Sequence, residues 1–174
     1  EVLNFYRDFS SSAPDELNTI CVLMTSPEGF KVIAIAVCYN GAIEKGEQVL
    51  RSLKEFGPPL ADQIGPMSYL AVQTMMDGAF PHGRQYYWKA HLMQQISNAA
   101  IDTIIDYFAA IPSPFSAVGF QQLGNAATRV GQDETAFSHR DAMYDFLMLS
   151  GWDDPSESER NIQWTRQIYD AMKP

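Results

Sequence analysis

The sequence predicts an α+β domain: an antiparallel or mixed sheet of about five strands with helices packed on one face, in a ferredoxin-like double unit. Two observations lead there. Short segments rich in Val, Ile, Cys or aromatic residues come in pairs, and between them run longer segments whose apolar residues recur every third or fourth position. Size agrees with this, since 174 residues with 46% hydrophobic and 12% aromatic side chains supply enough apolar surface for one core. The strand-pair-and-helix unit recurs without any repeat in the sequence itself.

The elements follow in order. Val2-Leu3, Phe5-Tyr6 and Phe9 have helical spacing, and Ser10-Ser11-Ser12-Ala13-Pro14 ends that helix in a turn. Leu17 to Thr25 and Phe30 to Asn40 read as antiparallel strands around Ser26-Pro27-Glu28-Gly29; the second is apolar on both faces and is expected in the sheet centre. From Ala42 to Phe56 the stripe of Ile43, Val49, Leu50, Leu53 and Phe56 predicts one amphipathic helix, stopped by Gly57-Pro58-Pro59. A short helix is expected from Tyr69 to Met76, then a loop through Gly78, Pro81 and Gly83, then an aromatic strand from Gln85 to Gln95. Ser97 caps a helix carrying Ile101, Ile104, Ile105, Phe108 and Ile111, which Pro112-Ser113-Pro114 breaks. Strands near Phe115 to Leu123 and Ala142 to Leu149 follow. Asp154-Pro155-Ser156-Glu157 then supplies an N-cap, a first-turn proline and a capping-box glutamate for a last helix with Ile162, Thr165, Ile168 and Met172. With helices on one face, the other apolar sheet face needs a missing domain, a cofactor or a partner subunit to cover it.

Charge narrows the partners. Twelve Lys and Arg against 21 Asp and Glu leave a formal net charge of −9, which repels phosphate backbones and anionic lipid, so neither nucleic acid nor membrane is expected. The longest apolar run, Val32 to Tyr39, falls well short of the roughly 20 residues of a spanning helix. The chain reads as soluble, with the cytoplasm favoured. A hairpin pairing Thr25 with Lys31 sets Cys21 opposite Ile35 and Cys38 opposite Asn18. That offset, about 10 Å of strand, exceeds the ~7 Å reach of a disulfide, so two free thiols are expected.

Common catalytic motifs fail on their chemistry. Gly78 to Gly83 has the glycine spacing of a phosphate loop, but Arg84-Gln85 follows where Lys and Ser or Thr must hold phosphate and magnesium. No Gly-x-Gly-x-x-Gly is present to cradle a dinucleotide. His82, His91 and His139 are too scattered for a metal site, and none is expected. In Ser138-His139-Arg140-Asp141, neighbouring strand residues would point to opposite faces; Arg140 pairing with a carboxylate is the simpler reading.

Several segments together resemble one family. Gly57-Pro58-Pro59-Leu60-Ala61-Asp62, Pro66-Met67-Ser68-Tyr69 with Gln73, and Tyr87-Trp88-Lys89 are followed by Ala136-Phe137-Ser138-His139-Arg140-Asp141, Trp152 and Glu159-Arg160-Asn161-Ile162-Gln163-Trp164. In order and spacing, from Val2 to Pro174, they are similar to the FAD-linked oxidoreductases of the berberine bridge enzyme type, which include oligosaccharide oxidases. The resemblance implies a substrate-binding domain, residues 1–174, of a larger enzyme. In that family an N-terminal domain holds FAD, often through covalent bonds to His and Cys. A second domain lays a sheet over the isoalloxazine. The chain begins at Glu1 without Met, and the family's Tyr-x-Asn-Tyr segment, a source of the base in many members, would follow Pro174. The chain is therefore expected to be a fragment, inactive alone, whose FAD is held mainly by a domain outside it.

The implied chemistry is oxidation of a substrate C–H bond by hydride transfer to flavin N5, with oxygen as the electron acceptor. The implied substrate is a small molecule: a sugar, an alcohol or a secondary metabolite. The catalytic residues stay unassigned. Substrate contact is expected from the open sheet face, and alternation puts Val118, Phe120 and Gln122 on one side of their strand. Gln122 is similar to the polar position before the family's Leu-Gly-Gly, so Phe120 and Gln122 are the first candidates; a solvent-facing Gln121-Gln122 pair is the alternative. Asp145 shares a side with Leu147, where relatives often carry an amide. Trp88 and Lys89 complete the set, with a core aromatic and a structural cation as their alternatives. Asn125 stands where the family has its second Gly, which bears on the local turn. The competing hypothesis is a stand-alone ligand-binding or dimerisation module that uses the same face without FAD or catalysis.

Overall fold

Gly29 starts the sheet. It takes a φ of 89°, which an L side chain resists, and closes a turn in which its N–H donates to the Ser26 carbonyl at 2.9 Å. The turn joins β1 (Leu17–Thr25) to β2 (Lys31–Tyr39) in the register Thr25↔Lys31, Cys21↔Ile35 and Asn18↔Cys38. The expected thiol offset is thus present, and both cysteines are free. β3 (Gln85–Met93), β4 (Ala117–Gln122) and β5 (Tyr144–Trp152) complete one sheet in the order β2-β1-β4-β5-β3, with every neighbouring pair antiparallel. The structure is a computed structural model that describes residues 1–173; Pro174, at the end of the family resemblance, lies outside the described residues.

One face of this sheet is packed. α1 (Val2–Ser11), α5 (Asn98–Ala109) and α6 (Ser158–Ala171) bury Leu3 and Tyr6, Ile101, Ile104 and Phe108, and Trp164 and Ile168 against Cys21, Leu23, Val118, Phe120, Phe146 and Met148. Each such fully buried large side chain stabilises the fold by roughly 1.5–3 kcal/mol relative to exposure. A smaller cluster of Phe9, Leu17 and Leu50 seats α2 (Ile43–Val49) and α3 (Arg51–Glu55) at the β2 end of that face, where Gly46 lets the Tyr39 ring lie against the helix, and the short α4 (Tyr69–Thr74) precedes β3. The α+β class with helices on one side is as the sequence predicts. No helix among the described residues is long and apolar enough to cross a membrane.

Four local expectations are corrected. β2 is an edge strand. It is apolar on both sides because Ile35 and Val37 pack toward the helices while Ala34 and Ala36 extend the opposite face. The helix expected from Ala42 to Phe56 is two short pieces meeting at Leu50, whose ψ of −2° drops its side chain into the smaller cluster; Ile43 and Phe56 stay exposed. Asp154 caps a 3-10 turn through the Ser156 N–H at 2.9 Å, and Glu157 pairs with Arg160 and makes no capping box. Ser138 to Asp141 lead irregularly into a turn at Arg140 and Asp141, in which Arg140 donates to the Thr135 hydroxyl and the Ala127 carbonyl and meets no carboxylate among the described residues.

Candidate functional site

Alternation along each strand divides the candidates between two faces. In β4, Val118, Phe120 and Gln122 point into the helix-packed core and are 0%, 0% and 2% exposed. The assignment of Phe120 and Gln122 to the open face is therefore corrected: both lie under the helices. The sequence did carry a signal for this. Val118 and Phe120 are the large apolar residues of the strand, and that parity goes to the better-covered face, leaving Ala117, Gly119 and Gln121 on the other.

Gln122 belongs to a buried polar network. Its amide donates to the Ser10 carbonyl at 3.0 Å and its carbonyl accepts from the Thr19 hydroxyl at 2.9 Å. The Tyr6 hydroxyl donates to the Phe120 carbonyl at 3.2 Å, and the Ser10 and Tyr144 hydroxyls meet at 2.8 Å. Burial pushes the Tyr6 hydroxyl above its ordinary pKa, so it remains a protonated donor. Together these bonds fasten α1 to β1, β4 and β5. Cys21 lies on the same side, and burial pushes its thiol up to about 12, which removes its nucleophilicity near neutral pH.

Lys89 is also on the packed face, with its ammonium 3.9 Å from the centre of the Tyr169 ring of α6. Trp88 faces the other way and is 48% exposed. It is held edge-on by Phe80 and Tyr86 at ring-centre distances of 5.0 and 5.6 Å, and the Tyr86 hydroxyl donates to the Pro81 carbonyl at 3.0 Å. An aromatic corner thus closes the β3 edge of the open face. Phe80, which makes that corner, was not among the sequence candidates, because it comes from a loop without periodicity.

The open face is built in rows across the strands. One row runs Ala36, Ile20, Gln121, Asp145 and Leu92; the next runs Ala34, Val22, Gly119, Leu147 and Ala90; a third ends in Leu149 and Trp88. Gly119 allows β4 to approach β1 closely, since a Cβ there would lie 2.3 Å from the Cys21 carbonyl oxygen. The result is a largely aliphatic floor. Asn18 donates its amide to the Gln122 carbonyl at 2.8 Å, which leaves Gln121 and Asp145, cross-strand partners, as the polar pair in the middle rows. Asp145 Oδ1 is shielded from solvent and has no hydrogen-bond partner among the described residues. Desolvation raises the Asp145 carboxyl above its ordinary value, partly offset by the charge of His91. An acceptor held in that state is suited to a ligand hydroxyl or amine.

Two flanking features frame the face. Asn125 adopts a φ of 63° and donates its side-chain amide to the Pro14 carbonyl at 3.1 Å, so it makes the left-handed turn without a glycine. A cleft of about 550 Å³ opens at the sheet end between His91, Ser97, Thr103, Asp141 and Lys173. Some of its polar groups are committed locally: Gln94 donates to Asp141 at 2.9 Å and Ser97 caps α5.

No family model matches the chain. It is 28% identical over its whole length to an FAD-linked oxidoreductase of Dictyostelium discoideum, and 26% identical over 99% of its length to an uncharacterised FAD-linked oxidoreductase of Bacillus subtilis. It spans 38% of the length of each of these relatives. A berberine bridge enzyme-like protein of Arabidopsis thaliana shares the fold, with a TM-score of 0.82 at 17% identity, over 98% of this chain and 39% of that one. The chain is thus similar in sequence to one part of FAD-linked oxidoreductases and shares the fold of one part of a berberine bridge enzyme-like protein.

Proposed function

We propose that the chain is the substrate-binding domain, residues 1–174, of an FAD-dependent oxidoreductase, and that the open sheet face forms one wall of the substrate pocket. The observation that carries this reading is the aliphatic floor with one polar pair, Gln121 and Asp145, whose shielded carboxylate oxygen has no partner. The described residues suit the facing of a flat ring system but offer no phosphate cradle, because Arg84-Gln85 follows Gly78 to Gly83. FAD is then held mainly by the part of the enzyme outside this chain. Bound FAD would supply the two-electron chemistry, a hydride acceptor at N5 with oxygen as the final electron acceptor.

The chain's own residues bind and orient. Asp145 accepts a hydrogen bond from the substrate hydroxyl or amine, Gln121 beside it fixes the direction of that group, and Trp88 with Leu147 covers the apolar remainder. Phe120, Gln122 and Lys89 act from beneath as supports of the sheet.

The test is a pair of substitutions on adjacent residues in the full-length enzyme. Gln121→Ala is expected to lower kcat/KM roughly 5- to 150-fold through loss of an orienting hydrogen bond of about 1–3 kcal/mol, with FAD loading unchanged. Gln122→Ala is expected to act on stability. Equal kinetic loss in both, or loss only at Gln122, would overturn the reading.

A further inference from the structure

The free edge of β2 is a surface that the pocket reading leaves unused. The Ser26 N–H donates to the Phe30 carbonyl and the Asn40 N–H to the Glu16 carbonyl, each at 2.8 Å, which fixes the hydrogen-bonding parity of the hairpin. Val32, Ala34, Ala36 and Cys38 therefore turn their backbone groups to β1. Lys31, Ile33, Ile35, Val37 and Tyr39 turn theirs outward, where no backbone partner meets them among the described residues.

Long edge strands are commonly blunted by charge, proline or a bulge. None of these guards β2. Its nine residues pair with β1 without interruption and include no proline. Its one charged side chain, Lys31, is drawn away to the Phe108 and Ala109 carbonyls of α5 at 3.2 and 2.6 Å. β3, the opposite edge, carries Lys89 and His91. In a chain of formal charge −9, the β2 strand is thus a line along which two copies meet without opposing like charges.

We propose that β2 joins two copies of this chain, pairing antiparallel with itself about a two-fold axis at Ile35. The sequence Ile33-Ala34-Ile35-Ala36-Val37 reads nearly the same in both directions, which favours a second copy over an unrelated strand. That register sets Ile33 opposite Val37 and Lys31 opposite Tyr39, and every outward N–H and C=O of the strand finds a partner. On the open face it sets Val32 opposite Cys38 and Ala34 opposite Ala36. Phe30, 66% exposed, and Ile43, 55% exposed, flank the strand at its two ends, and the two-fold brings each to the other's end. Two five-stranded sheets become one.

Sedimentation of the flavin-loaded full-length enzyme tests this, and a dimer is expected. Ile33→Pro removes an outward N–H and leaves the ladder to β1 intact. It is expected to raise the dimer Kd roughly 5- to 150-fold with flavin content unchanged, because symmetry deletes the bond twice. Val32→Cys is expected to give a disulfide-linked dimer on mild oxidation, since the new thiol faces Cys38 of the other copy across a pair whose Cα atoms lie about 4.5 Å apart. Ala36→Cys faces Ala34 and is expected to give none. A monomeric enzyme overturns the proposal. So does a dimer that Ile33→Pro leaves intact or Val32→Cys fails to cross-link, as one joined through the open face would.

Discussion

Gln122 shows how a single residue changes meaning with its surroundings. Its two bonds, to Ser10 and Thr19, are made where no water replaces them, so truncation leaves a buried hydroxyl and a buried carbonyl unpaired. Gln122→Ala is expected to destabilise the chain by about 1–3 kcal/mol, read as a lower urea midpoint at unchanged slope. Asp145 behaves differently. Its carboxyl is raised in the folded state, so the fold favours its protonated form; that contribution is fully present below the ordinary value of 3.8 and is lost as pH rises through the folded value. Asp145→Asn is accordingly expected to raise Tm at neutral pH, with the difference vanishing once the pH falls below the ordinary carboxyl range. A gain that persisted at low pH would show that burial of the charge is not the cause. Alternation was legible at both positions, but which parity met the helices was not: β4 on its own presents two equivalent sides until packing chooses one.

At the scale of elements, α5 is the best defined by local rules. Ser97 Oγ accepts from the Ala100 N–H at 3.1 Å, and Lys31 Nζ reaches from β2 to the Phe108 and Ala109 carbonyls at 3.2 and 2.6 Å while lying over the Phe108 ring. The cap is written in the sequence, whereas the lysine's role exists only once the hairpin is docked. Ser97→Ala is expected to cost about 1 kcal/mol. Lys31→Met, which keeps the apolar stem, is expected to cost about 0.3–1 kcal/mol through the lost charge at the helix C-terminus. Hydrogen exchange separates the two, with faster exchange confined to the first turn in one variant and to the last turn in the other. The segment from Ala42 to Phe56 shows the reverse case: its stripe is helical in period, yet Leu50 breaks the helix because the Phe9 and Leu17 cluster holds its side chain.

On the scale of the whole molecule, the asymmetry of the sheet decides the behaviour of the chain. One face is sealed by α1, α5 and α6, while the other leaves Trp88, Met24 and their aliphatic neighbours accessible. Purified alone, the chain is expected to be colourless and to enhance the fluorescence of an apolar dye, with both flavin absorbance and catalytic turnover absent. Stoichiometric yellow flavin on the isolated chain would show that the cofactor site lies within it. A stable colourless dimer joined through the open face would favour the binding-module alternative. What the sequence by itself determined is what short-range physics dictates: the hairpin register from its turn, the caps and breakers of α5, the period of each segment, and the ordered motifs of the family. Tertiary structure alone decided the strand order, the edge position of β2 and the face on which Phe120, Gln122, Lys89, Gln121 and Asp145 each lie. A two-residue alternation specifies that neighbouring side chains point apart, and only the arrival of the helices specifies which of them is buried.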